Sequence, residues 1–344
     1  MRHARCPTIA AMPVPTPPTD SLPSSAGPAA DIAPIVAFAS AASEGAMALW
    51  PTLRLPHLQQ LLQHARVVHS DQGDEADFCP PHERAWARQL QLPMSHGCVP
   101  WAAWQQQAAD PAPQETAWAW LSPCHWRIGA DTVHMGDPAQ LALDEAQSRA
   151  LLDILAPWFA EDGITLQFQR PDRWLARGAP LDGLCTASLD RVIGRDVRRW
   201  LPDAQTARTI NRLHSEVQML LYTHAFNDSR ANHGLPPVNA FWLHGAGRLQ
   251  APVPVQPRPA HAELAALRDA ALQENWAAWG LAWEQLDASL LRELLTAHQG
   301  GAAVQLTLCG ERNALTWQPQ RPGAWQKIQS VFKPKGLPDL PSML

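Results

Sequence analysis

The chain has 344 residues, 46% of them apolar, with a net charge of −5 in which both signs are interspersed. That length allows two average domains or one large α/β domain, and the apolar share supplies a sizeable core. The charge balance gives no electrostatic footprint for nucleic acid, and no apolar run approaches the ~18 residues of a spanning helix. All three lysines, Lys327, Lys333 and Lys335, fall near the C-terminus, where a solvated tail accounts for them. Neither a nucleic-acid nor a membrane partner is expected.

Residues 1–46 are rich in Pro, Ala and Ser without periodicity, and they read as a disordered extension. Ile32–Ala42 loosely resembles a signal h-region, but Asp31, Pro34 and the absence of a nearby basic residue argue against export. Met47 stands just before the first globular pattern, so a mis-assigned start is one reading. A single α/β domain is expected over 47–335, followed by a flexible tail at 336–344.

Within that domain, His57–Ala65 and His82–Leu90 read as helices and Ala117–Leu121 as a strand. Cys124–Ile128 and Thr132–Met135 flank Gly129-Ala130-Asp131, a hairpin signal. Asp144 opens a helix carrying Leu151, Leu152, Leu155 and Phe159 on one side, kinked at Pro157 and stopped by Gly163. Strands follow at Ile164–Phe168 and Arg173–Ala176, then a short helix at Asp190–Trp200. The longest helix is predicted over Ala204–Phe226, with Ile210, Leu213, Val217, Leu220 and Leu221 at a 3.6 period. A buried strand at Val238–Leu243 and helices at Ala262–Leu272 and Leu281–Ala297 come next. Val304–Leu308 and Ala314–Trp317 form a second hairpin, and Trp325–Phe332 a closing helix. Helices alternate with strands, but hairpins intervene, so the fold class is α/β with a mixed β-sheet flanked by helices.

Six cysteines are scattered without a Cys-x-x-Cys pair. A chain this long needs no disulfide staples, so reduced thiols and a cytoplasmic location are expected. Cys124, His125 and His134 together suggest a metal set. Fourteen histidines make such coincidences common, and no metal site is assigned. Eight tryptophans, Trp101, Trp104, Trp118, Trp120, Trp126, Trp276, Trp279 and Trp283, fall in two regions. They fill core or present a partner-binding surface.

The most informative stretch is His224 to Gly247. His224, Asn227 and Arg230 lie three residues apart and share a helix face. Beyond the Pro236-Pro237 turn come Asn239, an apolar strand, His244 and a Gly245-Ala246-Gly247 loop. A polar row leading to such a loop predicts a pocket for a small anion, since glycines let backbone amides approach a phosphate. Arg230 is expected to carry the charge, with His244 a switchable group beside the loop. Glu216, just before the core stripe, is a candidate base whose alternative is surface solvation.

This stretch resembles the archaeal-type, cofactor-independent phosphoglycerate mutases of the alkaline phosphatase superfamily. His224, Asn227, Arg230, Gly234, Pro237, Asn239, Gly245 and Gly247 match their pattern, and His244 stands where those enzymes place an arginine. A wider resemblance covers most of Met47 to Lys335. It is to bacterial phosphoglycerate mutase-like proteins, the E-type regulatory proteins of the regulation-of-pathogenicity-factors cluster. Trp120–Trp126, Phe159–Gly163, Pro171–Trp174, Gly194–Val197, Leu201-Pro202 and Glu216–Leu221 carry it. The resemblance implies a reduced phosphoglycerate mutase-like fold and a regulatory role.

The mutases' two-metal ligand set, an early Asp-Gly-x-x-Asp and a late Asp-x-x-Gly-His, has no counterpart in this sequence. The expectation is therefore a non-catalytic relative without a cofactor, holding a small phosphorylated ligand and acting on a protein partner. An active mutase-like phosphotransferase and an interaction module built on tryptophan surfaces are the alternatives. No residue is assigned a catalytic role.

Overall fold

The computed structural model describes residues 33–94, 98–107, 116–205, 207–253, 262–321 and 339–344. Ten strands lie in this part of the chain. They are β1 (Ile35–Val36), β2 (Ala65–Asp71), β3 (Trp118–Cys124), β4 (Trp126–Ile128), β5 (Val133–Met135), β6 (Thr165–Arg170), β7 (Arg173–Arg177), β8 (Ala240–Gly247), β9 (Leu306–Cys309) and β10 (Ala314–Pro319). The first helices are α1 (Glu44–Leu49), α2 (Pro56–Gln63), α3 (Pro81–Gln89), α4 (Trp101–Gln106), α5 (Glu145–Glu161) and α6 (Leu189–Val192). They are followed by α7 (Arg208–Tyr222), α8 (Ala225–Asn232), α9 (Ala262–Leu272), α10 (Trp276–Leu286), α11 (Arg292–Gly300) and α12 (Leu340–Met343).

The strands form two four-stranded sheets, ordered β1-β9-β10-β2 and β6-β7-β3-β8, and a β4-β5 hairpin. β1 runs parallel to β9, and the other ladders are antiparallel. The mixed α/β class is thus as the sequence predicts. One face of the second sheet packs Leu121, Trp174, Phe241 and Leu243 against α5 and α7. The first sheet builds a separate core with α2, α10 and α11.

α5 begins where the sequence places it. Asp144 is its N-cap and accepts from the Gln147 amide at 2.7 Å, and Gly163 supplies the positive φ of 72° beyond its end. α10 passes into α11 through a π-helical stretch, Asp287–Leu291. This turn delivers the buried Asp287 carboxylate to the N-terminus of α2, where it accepts from the amides of His57 at 3.2 Å and Leu58 at 2.8 Å. Free amides at a helix start favour a carboxylate there.

Several expectations are corrected. Residues 33–46 belong to the folded unit: Ile35 and Val36 are buried in β1, and Ser43 caps α1. Composition hid them because a two-residue strand has no period to detect. The tail also folds back at its end, burying Leu340 and Leu344, and the Leu344 carbonyl accepts from the amides of Arg312 and Asn313. Asp190–Trp200 is not one helix but the four-residue α6 and a 3₁₀ turn at Val197–Arg199.

Cys98 and Cys185 form a disulfide across 87 residues, while Cys79, Cys124 and Cys309 are buried thiols. The expectation of reduced cysteines therefore fails at one pair. The first 32 residues and the expected helix at Trp325–Phe332 lie outside the described residues. Among the described residues, no helix is long and apolar enough to cross a membrane.

Candidate functional site

The predicted helix over Ala204–Phe226 breaks at Thr223. α7 ends at Tyr222, and His224 caps α8, its Nδ1 accepting from the Phe226 amide at 3.1 Å. His224 therefore caps the helix that carries Asn227 and Arg230, but the polar atoms of all three turn to the chain itself. Asn227 donates to the Leu221 and Val238 carbonyls at 2.8 and 2.7 Å and accepts from the Val238 amide at 2.9 Å. Arg230 is buried and donates to the Pro236 and Leu141 carbonyls and to Gln147 Oε1. Asn239 accepts from the Trp126 amide at 2.7 Å and donates to its carbonyl at 2.9 Å. These side chains knit the α8–β8 connection to α5 and β4.

The expected glycine loop is the end of strand β8. Between Trp118 and Trp120, β8 carries one residue more than β3, a bulge that Gly245 accommodates with φ 61°. A Cβ on Gly245 would sit 3.0 Å from Trp101 Cβ, and one on Gly247 would sit 3.0 Å from Pro100 Cβ. The two glycines admit α4 and its leading loop against the sheet. Glu216 pairs with Arg212 at 3.3 Å on α7, whose apolar side packs in the core.

His244 alone of the expected polar side chains reaches a cavity of about 640 Å³. Side chains alternate along strands, so Trp120 and Ser122 of β3 share a face with His244 of β8. Arg173 of β7 joins them, its guanidinium carbon 4.6 Å from the Trp120 ring centroid. The β6–β7 turn that presents it is pinned by Ser148, which donates to the Pro171 carbonyl and accepts from the buried Trp174 indole, both at 2.8 Å. Opposite stand His82 and Glu83 of α3, Ser188 and Asp190 at the start of α6, and Leu264, Arg268 and Leu272 on one face of α9.

The polar lining sorts into pairs. Ser122 Oγ lies 3.3 Å from His244 Nε2. His82 Nε2 lies 3.0 Å from Asp190, which Arg268 grips from the other side. Burial alone would raise the Asp190 carboxyl, but Arg268 and His82 hold it well below the usual range. Glu83 accepts from Ser188 Oγ at 2.6 Å and from the Trp101 indole at 3.1 Å. Arg170 pairs with Asp172 at 2.8 Å. Arg173 has no hydrogen bond or ion pair among the described residues, and its Nε is buried without a partner. Burial, reinforced by Arg170 and opposed by Asp172, brings it down to about 10, so it stays cationic at neutral pH.

This arrangement falls short of a nucleophile–base–orienter chain. Ser122 contacts His244, whereas the carboxylate that orients a histidine serves His82. Burial, then the field of Arg173, pushes His244 down to about 3, which opposes the imidazolium a general base must become. Among the described residues no three His, Cys, Asp or Glu side chains are grouped to hold a metal ion. Asp190 is already committed to Arg268 and His82, so the two ions of the resembled mutases do not fit this lining. At the suggested Cys124–His125–His134 set, Cys124 is a buried thiol, and the two histidines contact the carbonyls of Pro237 and Gly194.

No family model matches the chain, and no curated protein matches it. Solved structures include the cofactor-independent phosphoglycerate mutase from Thermoplasma acidophilum, at 13% identity and a TM-score of 0.32 over 83% of this chain and 89% of that one. The PH0037 protein from Pyrococcus horikoshii is similar at 10% identity and a TM-score of 0.35, over 84% and 87% of the two chains. At these scores neither likeness assigns an activity or a site.

The tryptophans lie mostly in the core. Trp279 and Trp283 are fully buried and pack with Trp50 and Trp276, while Trp101, Trp118 and Trp126 are buried in other clusters. A binding surface made of these side chains therefore has little area to offer. Sequence reasoning missed Arg173, His82, Asp190 and Arg268 as cavity residues. The one signal concerned Arg173 alone, in Pro171-Asp172-Arg173-Trp174, where a charged turn precedes a buried strand.

Proposed function

We propose that this is a non-catalytic regulatory protein that binds a small oxyanion, of the phosphate or carboxylate kind, in the cavity between β3, β7 and α9. The observation that carries the reading is Arg173. It is a guanidinium half-withdrawn from solvent, laid against Trp120, facing a cavity and lacking a carboxylate of its own among the described residues. Removing a cation from water without pairing it is costly, and an anionic ligand offsets that cost. The Ser122 hydroxyl and the neutral His244 ring supply further hydrogen bonds. Among the described residues the cavity lining forms no connected acid–base chain, and this supports binding over turnover. The cytoplasmic expectation loses its support from cysteine usage at Cys98–Cys185.

Calorimetry with inorganic phosphate and acetate tests the reading on wild type, Arg173→Ala and Arg66→Ala. A charge-assisted bond contributes about 1.5–3 kcal/mol, so Arg173→Ala is expected to weaken binding by roughly 10–100-fold. Arg66→Ala, at an exposed arginine outside the cavity lining, should leave affinity unchanged. Equal affinity in wild type and Arg173→Ala would move any anion site elsewhere. Manganese-dependent interconversion of 3- and 2-phosphoglycerate at ~1 per second or faster would overturn the non-catalytic part.

A further inference from the structure

We infer that the cavity takes an organic monoanion with an apolar body, its head on Arg173 and its body along the wall formed by Ile35, Trp86, Leu264 and Leu272. This rests on the anion-binding reading above and extends it to the class of ligand.

Size is the first observation. About 640 Å³ is far more room than an inorganic oxyanion fills, and it lies within the range of sites for small organic molecules. The cavity also adjoins a second chamber of about 520 Å³, with Asp137, Ile193, Leu272 and Gln273 lining both. A bound molecule has space to extend from the first chamber toward the second.

Charge is the second. Arg170 is matched by Asp172, and Arg268 by Asp190 and Asp269. Arg173 is the lining arginine left without an ion pair among the described residues. Two lining carboxylates, Glu83 and Asp137, likewise have no ion-pair partner among the described residues; Glu83 accepts from Ser188 and Trp101, and Asp137 caps a turn by accepting from the Ala139 amide. The lining holds three arginines against five carboxylates and is acidic as a whole, so Arg173 is the one place in it where a negative charge meets a cation without an ion pair among the described residues. A second negative charge on the ligand would meet Glu83 and Asp137 and be repelled.

The third is the wall. Ile35 lies in β1, Trp86 faces the cavity from α3, and Leu264 and Leu272 stand two turns apart on α9 with Arg268 between them. One helix face thus presents apolar side chains on either side of an arginine already satisfied by Asp190. Apolar area set beside a few placed polar groups is the usual composition of a small-molecule site.

The probe is anilinonaphthalene sulfonate, a permanent monoanion with a flat apolar body, set against its uncharged relative N-phenylnaphthylamine and against inorganic phosphate. Fluorescence titration of the full chain should show one sulfonate site. Arg173→Ala should weaken it at least tenfold, and Arg173→Lys by less. The uncharged probe should bind more weakly than the sulfonate to wild type, and equally to wild type and Arg173→Ala. Leu264→Gln should weaken both aromatic probes at least threefold and leave phosphate unaffected. Sulfonate affinity that ignores both Arg173 and Leu264, or phosphate binding tighter than the sulfonate, overturns the inference. In the latter case an effect of Arg173→Ala on phosphate would still uphold the anion site itself. Loss of Arg173-dependence for phosphate and sulfonate alike would remove both readings.

Discussion

Four arginines show how one side-chain type takes opposite roles according to its partners. Arg84 bonds Asp71, Asp77 and the carbonyls of Cys79 and Arg312. Arg191 reaches the carbonyls of Glu311 and Asp74, and Arg230 those of Pro236 and Leu141. Each planar fork ties together segments far apart in sequence, which a lysine could not do with one nitrogen. Arg173 has no such acceptors among the described residues. In the sequence Arg230 sat in a suggestive row and Arg173 in an ordinary turn, because an arginine's free donors depend on the carbonyls that folding brings to it.

Histidines divide in a similar way. His214 is buried, stacked 4.1 Å from Phe241 and 5.1 Å from Trp126, and its Nδ1 has no partner among the described residues. Burial pushes it down to about 3. The unfolded chain therefore binds a proton near pH 6.5 that the folded chain refuses. Stability from this site is fully present above pH 6.5 and is lost as pH falls toward 3. His214→Phe keeps the stacking and removes the titration. Its unfolding free energy should fall less steeply between pH 6.5 and 4, by up to about 1.4 kcal/mol per pH unit. Denaturant melts across that range measure the slope, and parallel profiles for the two proteins would show that His214 is not the group responsible.

At the scale of elements, the sequence carried most of what has a period or a cap. α5 begins at Asp144, both hairpins fall where Gly129-Ala130-Asp131 and Gly310-Glu311-Arg312-Asn313 place them, and α9 matches its predicted span. β2 escaped detection because its middle five residues are all exposed, so no alternation marks it. The break between α7 and α8 escaped too, since the apolar stripe runs smoothly into it. What marks the end of α7 is a side chain just beyond it. Asn227 adds a side-chain donor to the Leu221 carbonyl, which already accepts from the Thr223 and His224 amides, and with the same side chain clamps both backbone groups of Val238. Asn227→Asp keeps one acceptor and loses two donations, leaving carbonyls facing a carboxylate. It should destabilise the fold by roughly 2–4 kcal/mol, about as much as Asn227→Ala. Urea unfolding gives the magnitude, and faster exchange of the Val238 amide localises it. A change below ~0.5 kcal/mol would mean that solvent satisfies those groups.

For the whole molecule, the cavity depends on elements far apart in the chain, from Ile35 to Gln273. Its walls come from β1 and α3 on one side, β3, β7 and β8 on another, and α9 on a third. Residues 33–46, which composition assigned to a disordered extension, are the piece that sequence reasoning misplaced most. β1 adds only Ile35 and Val36, yet it completes the edge of the first sheet, and Ala39 continues the pairing by donating to the Cys309 carbonyl at 2.8 Å. A chain beginning at Met47 would lose these buried residues, expose the edge of β9 and open one wall of the cavity. Burying Ile35 and Val36 contributes roughly 3–6 kcal/mol together. Truncation at Met47 should therefore lower the melting temperature by about 5–15 °C, whereas truncation at residue 31 should change it little. The shorter protein should also bind anilinonaphthalene sulfonate more weakly, because Ile35 forms part of the proposed wall. Equal melting temperatures for the two truncations would return residues 33–46 to the extension and separate the cavity from the N-terminal strand.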